Sequence, residues 1–522
     1  MANTKVDVVV VGAGASGILL AAQLGEAGKK VVLIEQGPPF GLGDMISSGI
    51  WARRLKWAVP PVISEGRTPL PYNFGTGWGT GGAASHQFAN WPRLHPEDFR
   101  MKTLYGRGLD WPISYDDLRP YYDRIQREVG LSGDHVAEVW RPAGDPYPMP
   151  PTKMFRHAEL LAEGFHKLGI RTAPNPVAIN SVVYNGRAAC IYDGWCNAGC
   201  PIGALANPQV TYLPRALKVG AEIRNYCSVT RVLMNSRGDR ATGIEYYDRQ
   251  KRRQVQPADV VVLAAFTAQN PRILFNSATD KHRNGLANSS GLLGRYIMSH
   301  PLANIWGLFG EDVENHMGMN AALLMSQDDY PKDRKEAFGS YMWFIGIAQK
   351  PNDILGFANS QVSIFGPALH DFMKKAARGL ATMQAQGEEA PNPENRVVLA
   401  DRKDEFGFPL ARIVHAVDED VMKLFNYQVE LGLRIMRATQ AKEAWASPAP
   451  SFAHTPGGTI MGKTAEDSIT DSYGRTHDVA NLFITGTGLF PTEGAVNPTF
   501  TLHALTLRTA EYMAAHWGSI AA

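Results

Sequence analysis

The chain is poor in cysteine, carries no excess of either charge and contains no long apolar run, and each shortage removes a class of protein. Only 4 cysteines occur in 522 residues, too few for a disulfide-built scaffold. Lys plus Arg number 52 against 50 Asp plus Glu, a net charge of +2, which lacks the basic footprint of a nucleic-acid binder. The short basic clusters Lys281-His282-Arg283 and Lys332-Asp333-Arg334-Lys335 read as solvated faces. No apolar run reaches the roughly 20 residues that span a bilayer. The N-terminus shows no charged segment, apolar segment and cleavage site in series, so no export signal of its own is expected. Internal repeats, coiled-coil heptads and low-complexity tracts are missing as well.

What is present is ordinary globular material: 44% hydrophobic and 20% charged residues, enough apolar surface for a large core. At about 150 residues per domain, the length predicts roughly three units arranged as one or two large domains. The first element is Val6-Asp7-Val8-Val9-Val10-Val11, a β-branched run of the kind that forms a parallel strand buried on both faces. It runs into Gly12-Ala13-Gly14-Ala15-Ser16-Gly17, then a predicted helix from Ile18 to Ala27 stopped by Gly28, then a strand over Lys30–Ile34 ending at Glu35. Each glycine has a job in this order. Gly12 permits a tight turn, Gly14 lets backbone N–H groups approach a pyrophosphate at the helix N-terminus, and Gly17 allows close helix–strand packing, while Glu35 can accept from ribose hydroxyls. An acid rather than a base at that position disfavours a 2′-phosphate, leaving FAD or NAD as the dinucleotide.

A second glycine-rich stretch, Gly75-Thr76-Gly77-Trp78-Gly79-Thr80-Gly81-Gly82, is too dense in glycine for a strand or helix interior, so backbone there passes close to something, a ligand surface being the natural candidate. Asp259 to Ala265 reads as another buried strand, with a helix over Thr267–Ser277 after it. Between these blocks, and again from about 300 to 445, the pattern shifts to shorter mixed segments that fit a second, interleaved domain. Near the C-terminus, Ala480-Asn481-Leu482-Phe483-Ile484-Thr485-Gly486 reads as a strand ending in glycine, and a helix is predicted from Phe500 to about Trp517. The small residues before that helix place a second dipole-anchored ligand contact close to Asn497.

Three of the four cysteines, Cys190, Cys196 and Cys200, are spaced C-x5-C-x3-C. That is neither the C-x2-C of structural zinc nor a four-cysteine ferredoxin run. Spacing alone leaves iron–sulfur, zinc, a redox switch and buried inert thiols open. Cys227 reads as a structural thiol or, if its loop folds back, a fourth ligand. His300, His477 and His503 read by default as satisfied core polar residues. Tyr341, Trp343 and Phe344 could stack on a sugar but fit core packing better.

Taken together, these motifs resemble those of the glucose–methanol–choline (GMC) oxidoreductases, flavoenzymes that oxidise alcohols and sugars by hydride transfer to FAD. The resemblance rests on Gly12 to Glu35, Gly75 to Gly82, Asp259 to Ser277, Asn395-Arg396-Val397, and His454-Thr455-Pro456-Gly457-Gly458-Thr459-Ile460-Met461-Gly462 followed by Asn481 to Asn497. Within the family the chain looks most like the flavoprotein catalytic subunit of bacterial membrane-linked dehydrogenases of glucose, fructose, gluconate, sorbitol or glucosides. This narrower likeness is carried by Gly81-Gly82 through His86 to Met101, Tyr105 to Ile113, the three cysteines with Pro201-Ile202-Gly203-Ala204, and Arg475-Thr476-His477-Asp478.

The resemblance implies an α/β fold in which a Rossmann-like FAD-binding domain, residues 1–115, 190–300 and 445–522, is interleaved with an α+β substrate domain, residues 116–189 and 301–444. It implies His454 as the base that takes the hydroxyl proton and Asn497 as its partner. Gly12, Gly14, Gly17, Glu35, Gly81, Gly82, His86, Asn481 and Gly486 are the expected FAD-binding residues. His86 occupies the place where related pyranose oxidases bond flavin covalently, although Ser85 and Gln87 depart from the aromatic-flanked version. Cys190, Cys196 and Cys200 match the ligands of a [3Fe-4S] cluster, which would pass electrons singly to a haem partner. The expected partners are a sugar or glycoside, a small export or chaperone subunit and a c-type cytochrome or other acceptor, with no nucleic acid and no direct membrane span. Periplasmic or membrane-associated residence follows from such a complex, with the cytoplasm as the alternative. Two rivals stand beside this reading: an oxygen-using oxidase of the pyranose or C-glycoside type without a working cluster, and a lyase that uses FAD only structurally.

Overall fold

A computed structural model describes residues 3–361 and 364–522, apart from the Phe74 side chain. Val6–Val11 forms strand β1, with Val8, Val9 and Val10 wholly buried. Gly12, in the left-handed region at φ 102°, turns the chain into helix α1, Ala15–Glu26. After Gly28, at φ 80°, comes β2, Val31–Ile34. β1 lies parallel between β2 and the strand Arg253–Leu263. Glu222–Arg224 extends the β2 side and Leu482–Ile484 joins Arg253–Leu263, both in parallel. Antiparallel strands Ala241–Tyr247 and Ser228–Met234 complete a 7-stranded sheet.

The return strand starts at Arg253, ahead of the expected Asp259, for a reason visible in its pairing. From Ala258 onward it runs beside β1, wholly buried from Val260, while its first half pairs antiparallel with Ala241–Tyr247 and alternates in exposure. Only the doubly covered half has the continuous apolar composition that announces a buried strand.

A second sheet, also 7-stranded and antiparallel where its strands pair, is built on His300–Leu308, Leu380–Gly387, Tyr341–Ile345 and Leu324–Ser326. Glu443–Ala446 and Ser451–Ala453 both add to His300–Leu308, so this sheet runs through the expected boundary at 445 to Ala453. The expected plan, a Rossmann-like α/β domain interleaved with an α+β domain, is what the chain builds. The helix Tyr115–Val129 falls mostly within the segment expected to serve the second domain but packs on the first. Tyr122 OH shares a hydrogen bond of 2.6 Å with Thr501 Oγ1, and its ring meets Phe500 edge-on at 4.7 Å. The C-terminal helix, Thr499–Ala515, stops before the expected Trp517, where His516 turns back to bond the Tyr512 carbonyl at 2.9 Å. No helix of the described residues is long and apolar enough to cross a membrane.

Candidate active site

One cavity of about 560 Å³ opens between the two sheets and is walled by Gly12, Gly14, Glu35, Gly82, His86, Gly486, His454 and Asn497 among others. Its glycine side is made of backbone. A Cβ on Gly12 would lie 2.6 Å from the Ala264 carbonyl oxygen, and one on Gly17 2.1 Å from the Gly12 oxygen, distances that real side chains do not adopt. Gly17 is therefore a packing residue behind the wall. Gly14 caps α1 without a side-chain hydrogen bond, and no acid occupies the first turn. The helix's free N-terminal amides are thus open to an anion.

Glu35, buried at the end of β2, accepts N–H bonds from Ala13 at 2.9 Å, Gly37 at 2.8 Å and Gly79 at 3.0 Å. The carboxylate expected to meet a ribose also ties the first glycine turn to the second glycine-rich stretch. Gly81, at φ 99°, donates to the Ala13 carbonyl at 2.7 Å, and a Cβ there would strike Ser85 Oγ at 2.1 Å. Gly81 thus braces the loop from behind while Gly82 faces the cavity. Gly486, at φ 111°, lines it from the C-terminal segment.

Asn481 is a correction. Its amide donates to the carbonyls of Ala241 at 2.8 Å and Asp259 at 2.6 Å and accepts from the Ala241 N–H at 2.9 Å. It is not among the cavity-lining residues. Its side-chain nitrogen and oxygen are both engaged in joining strands, so Asn481 holds the sheet together from behind the cavity wall.

The opposite wall is built from side chains. Asn497 Nδ2 lies 3.2 Å from His454 Nε2, and His454 Nδ1 lies 3.1 Å from His300 Nδ1. Burial lowers the His454 pKa to about 4, so the ring is neutral at ordinary pH. His300, wholly buried, is pushed well down by burial and then by the charge of His454. Asn497 Oδ1 has no hydrogen-bond partner among the described residues. The same holds for Nε2 of His86, whose pKa burial, and then Lys56, lowers to about 3. A cavity wall with a neutral imidazole nitrogen, an amide and unpartnered polar atoms suits a polar ligand that makes and gives up hydrogen bonds.

Of the three aromatic residues considered for sugar stacking, only Phe344 lines the cavity. Side chains alternate along Tyr341–Ile345, so Tyr341 and Trp343 point the other way. Trp343 packs edge-on against Phe165 at 5.7 Å and Tyr341 bonds Asp329. The sequence reading missed Leu302, Gln384 and Gln386, which line the cavity from the second sheet. The signal was there: Thr382, Gln384 and Gln386 recur at every second position of an otherwise apolar strand. It also missed His300, whose place beside His454 comes from strand pairing, Ala453 lying opposite His300. His503 does take the core role expected of it, bonding the Thr499 carbonyl at 2.7 Å, whereas His477 is half-buried and bonded to Ser468 at 2.9 Å.

Cys190, Cys196 and Cys200 lie outside this cavity wall, on a loop whose 3-10 turn Cys196–Ala198 is followed by Gly199 at φ 99° and Cys200 at φ 57°. The thiols are close enough to raise one another's pKa, after the larger effect of burial, which pushes Cys190 up to about 12. Backbone N–H groups point at the sulfurs: Tyr192 donates to Cys190 at 3.3 Å and Leu205 to Cys200 at 3.4 Å. Such N–H···S bonds favour thiolate and suit a soft metal or cluster. Among the described residues, however, no three His, Cys, Asp or Glu side chains converge as a metal-ligand set. Two of the three sulfurs thus accept backbone N–H groups, while no closed ligand geometry is formed among the described residues. Cys227 stands apart, on the cavity wall, donating to the Asn225 carbonyl at 3.4 Å.

Comparison with known proteins agrees with this architecture. Residues 106–302 and 391–506 match the two family models of GMC oxidoreductase, and residues 7–55 match an FAD-binding domain. The 2-methyl-1,2-propanediol dehydrogenase of Mycolicibacterium austroafricanum is 32% identical over 99% of this chain and 96% of its own. The fructose dehydrogenase large subunit of Gluconobacter japonicus is 31% identical over 97% of each chain. A gluconate 2-dehydrogenase flavoprotein of Pantoea cypripedii is 26% identical over 97% of this chain and 93% of its own. Formate oxidase of Aspergillus oryzae superposes over 100% of both chains with a TM-score of 0.68 at 15% identity, a likeness of fold. The chain belongs to the GMC oxidoreductase family: it binds FAD and oxidises CH–OH donors.

Proposed function

We propose that the donor is a sugar, a glycoside or a related polyol, and that His454 and Asn497 carry the reaction. The observation behind this is the placing of His454 Nε2 and the Asn497 amide 3.2 Å apart on the cavity that the dinucleotide glycines also line. His454 removes the hydroxyl proton at Nε2, and the Asn497 amide holds the oxygen on which charge develops. The carbon releases its hydride as the C=O bond forms, bound FAD supplying the acceptor. Gln384 and Gln386, whose amide nitrogens are spent on Asn304 at 2.7 Å and the Ala495 carbonyl at 2.9 Å, leave amide oxygens for substrate hydroxyls. The relatives that act on fructose and gluconate support a polyhydroxylated donor.

The same reading makes Cys190, Cys196 and Cys200 the holders of a [3Fe-4S] cluster, supported by their spacing, their mutual proximity and the N–H donors on two of the sulfurs. The cluster would supply one-electron transfer, so the electrons would leave singly for a c-type cytochrome or similar acceptor. A small subunit would carry this chain to the periplasm. The second reading is an oxygen-using oxidase, supported by likeness to the paromamine 6'-oxidase of Streptomyces fradiae, 27% identical over 97% of this chain.

Two experiments test these statements. Anaerobic stopped-flow mixing with fructose, gluconate or 2-methyl-1,2-propanediol should bleach the flavin, and His454→Ala should slow bleaching by about 10²–10⁴-fold with FAD retained. Undiminished bleaching would remove His454 from the mechanism. Iron analysis with EPR of the oxidised, anaerobically purified protein should give roughly three irons per chain and a three-iron signal, both lost in Cys196→Ser. Flavin without iron would put the oxidase first.

A further inference from the structure

The buried ring beside His454 has a protonation pattern that its neighbours dictate. His300 Nε2 lies 3.1 Å from the carbonyl oxygen of Gly494. A carbonyl only accepts, so His300 Nε2 carries hydrogen. In a neutral ring its Nδ1 is then a lone pair, and the hydrogen between the two facing Nδ1 atoms, 3.1 Å apart, belongs to His454. His454 is thereby left with a bare Nε2, the atom that accepts from the Asn497 amide at 3.2 Å.

We propose that His300 is a positioning residue that holds His454 in the Nδ1–H tautomer, so that the Nε2 lone pair, which accepts from the Asn497 amide in this structure, is the one a substrate hydroxyl takes over when it is deprotonated. The proposal rests on the reading of His454 as the base. The geometry uses the strand pairing described above: Ser451–Ala453 runs antiparallel to His300–Leu308, Ala453 opposite His300, and this delivers His454 to His300. The two rings meet at 89° with centroids 5.0 Å apart, an edge-on approach that aims one Nδ1 at the other. Ser299, next in the chain, donates its hydroxyl to the His454 carbonyl at 2.8 Å and pins the backbone there.

A third group decides whether His300 stays neutral. Glu493 Oε2 lies 3.4 Å from His300 Nδ1 and has no hydrogen-bond partner among the described residues. A carboxylate at that distance would draw a proton onto His300 Nδ1 and place two N–H groups face to face. The surroundings prevent it. Burial, and then the charges of Glu389 and Glu388, raise Glu493 well above the ordinary carboxylic range, against a smaller opposing pull from Lys332. Glu389 is itself matched by His415 at 3.0 Å, and Glu388 by Lys332 at 2.6 Å. The available positive charges are committed to other carboxylates, which together with burial favours the protonated form of Glu493 and leaves His300 Nδ1 an acceptor. A third member that orients a catalytic histidine is the logic of hydrolase triads, here with an imidazole in place of a carboxylate.

The test reads the tautomer directly. In FAD-loaded protein labelled with ¹⁵N-histidine, the His454 resonance, assigned by its loss in His454→Ala, should show hydrogen on Nδ1 and a bare Nε2. His300→Phe should shift that signal toward the Nε2–H form and slow flavin reduction tenfold or more, with little change in the substrate concentration giving half-maximal rate. His300→Gln keeps an acceptor for the His454 hydrogen and should restore most of the rate and the original signal. A wild-type His454 with hydrogen on Nε2 overturns the proposal, even if the Phe variant fails to fold. So does a Phe variant that reduces flavin as fast as wild type, or a Gln variant no better than Phe. If His454→Ala leaves reduction intact, the base assignment has failed; if it abolishes reduction while His300→Phe does not matter, only the positioning role has.

Discussion

The two walls of the cavity are made on different principles. The nucleotide wall is backbone: Gly12, Gly14 and Gly82 contribute no side chain, and what they offer is the open amides of a helix start and room for a ligand. The other wall is side chain: the proposed pair His454 and Asn497, with His300 beside it, depends on atoms brought together by strands far apart in sequence. The first wall has no room for an added atom at Gly12, whereas the second depends on its hydrogen bonds. Their responses to substitution should differ accordingly.

The largest effect should come from the packing directly behind the backbone wall, at Gly17. Gly17→Ala puts a methyl 2.1 Å from the Gly12 carbonyl oxygen, a backbone atom that cannot move without opening the turn. Overpacking of this kind costs about 1–3 kcal/mol or more, so the variant should lose bound FAD together with several degrees of thermal stability. Retention of both in absorbance and calorimetric scans would break the comparison. His454→Ala is intermediate: it removes side-chain chemistry but leaves the glycine wall whole, so turnover should fall while FAD and melting temperature stay near wild type. The smallest effect should be that of Glu35→Gln. The amide keeps the shape and one acceptor oxygen but loses part of the charged acceptance from Ala13, Gly37 and Gly79. A charge-assisted bond contributes about 1.5–3 kcal/mol, so FAD affinity should drop by roughly tenfold to a hundredfold, measured by titration of the apoprotein. No change would mean that the three amides are content with a neutral acceptor.

The backbone wall was legible because its requirements are local. A β-branched run buried on both faces, a glycine at φ 102° and a second glycine one turn later are all specified within a dozen residues or so of each other, and β1 covers the six residues read for it. The cysteine segment was legible in the same sense: spacing names the ligands, yet it does not bring three sulfurs together. The second wall was half legible. His454 and Asn497 were found by likeness to a family, and Gln384 and Gln386 were discoverable as alternating polar residues in an apolar strand. Asn481 shows the opposite failure, since it lies in a family motif beside the cofactor segment but spends every polar atom on Ala241 and Asp259.

The sequence by itself determined the family and the strand–turn–helix–strand unit that carries the dinucleotide turn, because neighbouring residues settle which backbone conformations are allowed and which faces are apolar. Tertiary structure alone decided the rest. Glu35 became the clasp of two glycine loops, His300 became the partner of His454, and Phe344 rather than Trp343 came to face the cavity. Each of these depends on a hydrogen bond, strand register or shared cavity between segments tens to hundreds of residues apart, and no local pattern encodes which distant groups will meet.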